Sequence, residues 1–232
     1  RAGDRVFVNE GTVGTTTIYG IADYDRLPGL VYIGMIFVFA AIAVSRFKGF
    51  SSLLGLVFSI TILGTFVIPS IASGSNPMAV SLIATFAIAV ISIYLAHGFN
   101  KLASLALVST LITLLAAAGI SALFVSLTRL SGLGSEESMY LQWGAFSNLD
   151  FQGLLLGSIM IGALGILDDV TVSQVAVVQE LRHANPTLSS RELFRRGLKV
   201  GREHIASLVN TLALAYAGAA LPSLLLFTQS TE

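Results

Sequence analysis

The chain has 232 residues, 54% hydrophobic and 11% charged, with thirteen basic side chains balanced by thirteen acidic ones and no cysteine. Soluble domains carry about 25% charge, so a water-soluble globular protein is excluded, and without cysteine so are disulfides and thiolate metal sites. The zero net charge hides a strong segregation by loop, and that segregation carries the topology.

In residues 1–26 Val6 and Val8 alternate with Phe7 and Asn9, a β-branched and aromatic stretch runs from Thr15 to Tyr19, and Gly11, Gly14 and Gly20 punctuate the runs. This pattern predicts the C-terminal part of a small extracytoplasmic β-rich domain over 1–26, with an ordered coil on the membrane surface as the other reading. The start at Arg1, in mid-pattern, leads us to expect a missing N-terminal portion and a further crossing upstream to tether that domain.

Six apolar runs follow, at about 28–45, 50–71, 78–97, 102–128, 151–181 and 203–228, each near or above the roughly 20 residues that span a hydrocarbon core. The expected fold is an all-α polytopic membrane protein, with a six-helix transmembrane domain over 27–232. Nine cations (Arg46, Lys48, Lys101, Arg182, Arg191, Arg195, Arg196, Lys199 and Arg202) then fall on one side and four (Arg1, Arg5, Arg26 and Arg129) on the other. The positive-inside rule makes the first side cytoplasmic and sends both termini of the chain outward. Tyr24, Tyr32, Tyr140 and Trp143 suit interfacial anchors or ordinary packing equally. The stretches 47–61 and 99–113 share Phe, Ser, Leu and Thr in register, which fits either an internal repeat or the common composition of such helices.

The fifth run carries two adjacent carboxylates, Asp168 and Asp169, in its middle. Carboxylates at membrane depth face protein or water and mark a functional site by default. Ser158, Gly162, Gly165, Asp169, Ser173 and Ala176 recur at helical spacing, so one face is lined by small or polar residues with Asp169 on it. Asp168 is rotated from Asp169 by about 100°, toward Thr171. In the sixth run Ala206, Asn210, Ala213, Ala217 and Ala220 form a second small-residue stripe. Small residues let backbones approach closely in lipid. The expectation is that the two stripes meet, with Gly162, Gly165, Ala213 and Ala217 as packing residues. Asp169, Asp168, Asn210, Ser173, Thr211 and Tyr216 then form a substrate or proton site roughly 10–14 Å deep. The bland reading is an interhelical hydrogen-bond clasp, each bond worth about 0.6–2 kcal/mol.

Between these runs, Pro186 ends one helix, and Ser189 with Glu192 fits a capping box opening an amphipathic cytoplasmic helix at about 189–199. Leu193, Phe194 and Leu198 are placed to rest on the membrane while Arg191, Arg195, Arg196 and Lys199 meet anionic headgroups. Docking of a cytoplasmic partner is the alternative.

The stretches GDRVFV (3–8), FKGFSSLLGL (47–56), IPSIASGSNP (68–77), GFNKLASL (98–105), GALGILDDVTVSQVAVVQEL (162–181), SSRELFRRGLKVGREHI (189–205) and NTLALAYAG (210–218), together with Arg26, resemble the YibE/F family of bacterial membrane proteins. The resemblance covers nearly the whole chain and implies a permease with an upstream helix and an extracytoplasmic domain. Its pattern G-x-L-G-x-x-x-D falls on Gly162, Leu164, Gly165 and Asp169, and N-T-L-x-x-A-Y-x-G on Asn210, Thr211, Leu212, Ala215, Tyr216 and Gly218. Asp168 stands where the family often has an apolar residue or methionine, so the resemblance favours Asp169.

Other classes fail on what they require. An intramembrane aspartyl protease needs carboxylates from two helices across one water, and the other five runs hold no acid at that depth. His97, His183 and His204 are too dispersed for a metal site, and no glycine-rich phosphate loop is present. The sequence therefore predicts a secondary transporter or export permease of the bacterial inner membrane, not an enzyme, with no cofactor and no metal. Its expected partners are the bilayer, a small solute or ion, and a second copy or membrane partner; nucleic acid is not among them. The alternative is a non-transporting scaffold or regulatory subunit of an envelope assembly.

Overall fold

The computed structural model describes residues 5–13, 16–144 and 146–229. Arg1 of the charge count, Gly3 and Asp4 of the GDRVFV stretch, and Gly14 and Thr15 of the predicted strands lie outside them.

Strands β1 (Val6–Val13) and β2 (Thr16–Tyr24) pair antiparallel, from Val6 with Tyr24 to Val13 with Thr16, with a bulge between Phe7 and Val8. The alternation of residues 6–9 and the β-branched run after Gly14 thus give a hairpin, not a surface coil. Asp25 Oδ1 then accepts the Leu27 N–H at 3.1 Å, where the first membrane helix begins.

That helix, α1 (Leu27–Ile62), contains a break at Arg46 with φ 52° and ψ −129°. Positive φ is uncommon for a residue with a Cβ. Beside the break, Gly49 packs so tightly that a Cβ there would strike the Ala41 carbonyl. The break divides two apolar spans, Leu27–Phe47 and Gly49–Ala72. The second span continues through a π turn (Leu63–Val67) into α2 (Ile68–Ala72), where Pro69 removes an N–H from the helical ladder.

Side-chain caps start most of the remaining helices. Asn76 accepts from Ala79 N–H at 2.9 Å to open α3 (Pro77–His97), and Asn100 accepts from Ala103 N–H at 2.8 Å to open α4 (Lys101–Leu127). A capping box between Ser135 and Ser138 opens α5 (Glu136–Trp143), a short helix in the loop where the sequence showed only anchors. Asp150 accepts from Gly153 N–H at 2.8 Å to open α6 (Phe151–Ala184). Ser189 opens α7 (Ser190–Ala219), and α8 (Leu221–Gln229) follows a break at Ala220. Each cap satisfies an N–H that the first helical turn leaves without a partner.

Five helices among the described residues are long and apolar enough to cross a membrane: the two halves of the first, then α3, α4 and α6. The chain is an all-α polytopic membrane protein with a small N-terminal hairpin. Six crossings were expected, and the sixth differs. Instead of a short amphipathic helix followed by a separate span over 203–228, α7 is one continuous helix that stops at Ala219. Nothing between Lys199 and Glu203 breaks it, because a single glycine in a helix interior costs only about 1 kcal/mol.

The core lies among α3, α4 and α6, through Ile88, Ala89 and Ile93, through Leu107, Leu114 and Ala118, and through Met160 and Leu164. The second half of α1 packs on α3, while the first half is unburied. Close approach sets the α3–α6 contact: a Cβ on Gly157 would be driven into the Ser81 side chain.

Substituting Gly157→Ala should therefore lower stability in detergent by about 1–3 kcal/mol, the usual range for overpacking. Combining it with Ser81→Gly should recover part of that loss in a double-mutant cycle, and strictly additive losses would argue against the contact. A second expectation concerns α7. Glu192 accepts from Arg196 Nε at 2.8 Å and from Arg195 Nη2 at 2.9 Å, and these bonds hold its carboxyl below the ordinary glutamate range. A carboxyl lowered on folding contributes stability above its unfolded value and loses it as pH falls through the folded one. Amide exchange in the first turns of α7 should quicken on that acidification in the wild type and show no such step in Glu192→Gln.

Candidate functional site

On α6 the buried residues Gly153, Leu156, Gly157, Met160 and Leu164 mark the face turned to the bundle. Asp168 follows Leu164 by four residues and so continues that face. Its Oδ2 accepts a hydrogen bond from Ser92 Oγ of α3 at 3.0 Å. The register is dictated by packing: Gly157 to Asp168 and Ser81 to Ser92 are each eleven residues, about three helical turns. In two parallel helices the Gly157–Ser81 contact therefore brings Asp168 opposite Ser92.

The second half of α1 closes the third side. A Cβ on Gly55 would lie 3.6 Å from Ser92 Oγ, so the α1 backbone passes directly over that hydroxyl. One turn along α6, Thr171 Oγ1 meets the fully buried Thr110 Oγ1 of α4 at 2.6 Å, and also lies 2.6 Å from the Leu167 carbonyl of its own helix. Ser92, Asp168, Thr110 and Thr171 thus form a polar layer crossing the apolar core, drawn from three helices.

A cavity of about 220 Å³ opens below this layer at the Lys- and Arg-rich end of the bundle, lined among others by His97, Asn100, Val172, Val175 and Gln179. Val172 and Val175 stand four and seven residues after Asp168, on the same side of α6. The cavity rim is braced where Tyr94 stacks on Phe99, centroids 4.5 Å apart, and meets Ser104 Oγ through its hydroxyl at 3.0 Å.

The other residues singled out from sequence lie elsewhere. Asp169 is exposed, about 100° round α6 from Asp168, and Gly162 and Gly165 beside it have open space where a Cβ would stand. The predicted meeting of the two small-residue stripes does not occur. Helix α7 touches α6 through Gly197 and Gly201: Gln174 Nε2 donates to the Gly197 carbonyl at 2.7 Å, and a Cβ on Gly201 would approach the Gln174 amide at 3.0 Å. At 100° per residue Asn210 is about 140° round α7 from Gly197. Asn210, Ala213, Ala217 and Tyr216 are accordingly exposed, and the Thr211 hydroxyl bonds to the Ser207 carbonyl of its own helix at 3.0 Å. Ser173 is half-buried, on the groove between α6 and α7.

Ser92, Thr110 and His97 were missed as site residues. The available signal was the four-residue series Leu156, Met160, Leu164, Asp168, which carries one acid onto a face of large side chains.

If this layer is built as described, Ser92→Ala and Thr110→Val should each destabilise the protein in mild detergent by about 0.6–2 kcal/mol. The loss from Ser92→Ala should shrink in an Asp168→Ala background, as a double-mutant cycle reads out, and persist in Asp169→Ala. Equal coupling of Ser92 to both acids would contradict the geometry.

Comparison with curated proteins and with solved structures gave no match. Residues 33–232 match the family described as YibE/F-like protein, a range holding all but the first residues of α1, the whole polar layer, and helices α7 and α8. The chain therefore belongs to the YibE/F-like family.

Proposed function

We propose that the protein is a secondary transporter or export permease of a bacterial inner membrane, moving a small solute or ion, with Asp168 as its proton- or cation-responsive group. The observation that carries this reading is the cavity that rises from the basic end to within one helical turn of Asp168. By the positive-inside rule that end is cytoplasmic.

The chemistry follows from the layer. As a carboxylate, Asp168 accepts from Ser92; once protonated it carries an O–H and becomes a donor. The Ser92 hydroxyl can follow that change, because its own proton rotates freely to a new acceptor. A charge change at Asp168 thus alters the hydrogen bond joining α3 and α6 at the point where α1 crosses them. His97 and Asn100 at the cavity mouth supply a titratable group and an amide at the entrance.

One observation favours the scaffold reading. Gly162, Gly165 and Asp169 on α6 and Asn210, Ala213 and Ala217 on α7 present open small-residue faces, of the kind that membrane helices use for docking.

Proteoliposomes under an imposed pH gradient separate the two. Solute-dependent proton flux should be abolished in Asp168→Asn and largely retained in Asp169→Asn. Equal flux in Asp168→Asn and wild type would remove Asp168 from the mechanism. Absence of flux for every solute tested, with tight retention of a membrane partner, would favour the scaffold.

A further inference from the structure

At the end of the bundle opposite the Lys- and Arg-rich one, a pocket of about 440 Å³ lies between the turn after α2 and the segment that leads into α6. That volume is within the range of about 300–1,000 Å³ usual for small-molecule sites. The α3–α6 register creates the pocket. Asn76 stands five residues before Ser81 and Asp150 seven before Gly157, so the same close contact brings the two helix starts to within about 3 Å of one level.

Both walls are held by the backbone. Ser75 N–H bonds to the Ser70 carbonyl at 3.1 Å and Gly74 N–H to the Ile71 carbonyl at 3.0 Å, a helix-ending turn that needs the left-handed φ of 92° at Gly74. On the other side, Leu149 N–H bonds to the Phe146 carbonyl at 3.0 Å. Asp150 Oδ1 accepts the Gly153 N–H, and its Oδ2 occupies room that only a glycine at position 153 leaves.

Several polar groups on these walls are left over. Among the described residues the Ser75 hydroxyl, the Asn148 side-chain amide and Asp150 Oδ2 have no hydrogen-bond or ion-pair partner, and no lysine, arginine or histidine lines the pocket. A preset carboxylate beside a hydroxyl and an amide, with Phe146 and Leu149 as apolar surface, complements a solute with one ammonium group on a polar carbon frame.

We propose that this pocket binds a small polar organic amine, its ammonium on Asp150 Oδ2 and its other polar groups on Ser75 and Asn148. The helix cap accounts for Oδ1 alone. An anion would meet the Asp150 carboxylate with no cation beside it, and a neutral polyol would gain no charge-assisted bond there. Pro77, which lines the pocket, is fifteen residues of α3, about 22 Å, from Ser92. The site therefore stands apart from the polar layer and does not rest on the transport reading.

The chain has no cysteine, so Ala72→Cys gives the purified full chain a single thiol on the pocket wall. Its modification by methyl methanethiosulfonate is followed with matched probes that differ in the amine: glucosamine against glucose, and ethanolamine against ethylene glycol, at a pH where the amines are protonated. At least one amine should half-protect the thiol at about tenfold lower concentration than its neutral counterpart, the effect of one charge-assisted bond. Asparagine caps a helix as well as aspartate does, so Asp150→Asn in the same chain should keep the fold and erase that preference. Glu203→Gln, at the basic end, should leave it intact. Should Asp150→Asn unfold, Asn148→Ala should raise the half-protecting concentration of the amine by about fivefold, as expected for one lost hydrogen bond. The proposal is overturned if neither amine protects, if the neutral probes protect as well as the amines, if a folded Asp150→Asn keeps the preference, or if Asn148→Ala changes nothing. Stronger protection by glucuronate than by glucosamine would mark an anion site and overturn it equally.

Discussion

In a hydrocarbon surrounding, an apolar side chain gains little by leaving lipid for protein, so helices are held by close backbone approach and by hydrogen bonds between them. The rest of this bundle depends on one such approach, Gly157 of α6 against Ser81 of α3. It fixes the two helices in parallel register, and eleven residues further along each of them that register sets Asp168 against Ser92 at 3.0 Å. With α6 so placed, Thr171 reaches Thr110 of α4, and α1 passes over Ser92 at Gly55, where even a Cβ would lie in ordinary contact with the Ser92 hydroxyl at 3.6 Å. The polar layer is thus a consequence of packing: the same glycine that lets the helices touch decides which acid turns inward.

Much of the fold was legible. Runs of apolar residues give the spans because a bilayer demands about 20 of them whatever their neighbours, and Asn76, Asn100, Asp150 and Ser189 mark helix starts because their side chains accept the N–H groups a first turn leaves over. The continuity of α7 was less so, since Pro186 and the charged run suggested a separate short helix, whereas Gly197 and Gly201 lie inside one continuous helix. In the structure those glycines are contact residues against α6.

The candidate site was legible only in part, for a reason peculiar to membranes. In water the face of a helix that carries large apolar residues is the buried one, and the small or polar face is outside. In lipid both faces are apolar, and a stripe of small residues marks a possible approach without saying whether it is used. On α6 two such signals competed. Gly162 and Gly165 led to Asp169, and that face is open; Gly153 and Gly157, further from the acids, belong to the face that is buried and that leads to Asp168. The sequence pattern alone contains both, and only the position of α3 decides between them.

The two ends of α7 are tied by the same contact. Gln174 holds Gly197, and Gly201 packs on the Gln174 amide, so the rotation of α7 about its own axis is set there. A continuous helix passes that rotation along its length. It turns Leu198 and Ile205 to the groove beside α6 and turns Asn210 away from α6 altogether. Gln174 is six residues, about 9 Å, from Asp168 on the same helix. The α7 anchor and the polar layer therefore load one short segment of α6, with Thr171 between them bonded to α4. Among the described residues, a change in the angle of α7 reaches the bundle through this segment, the one that carries the inward acid.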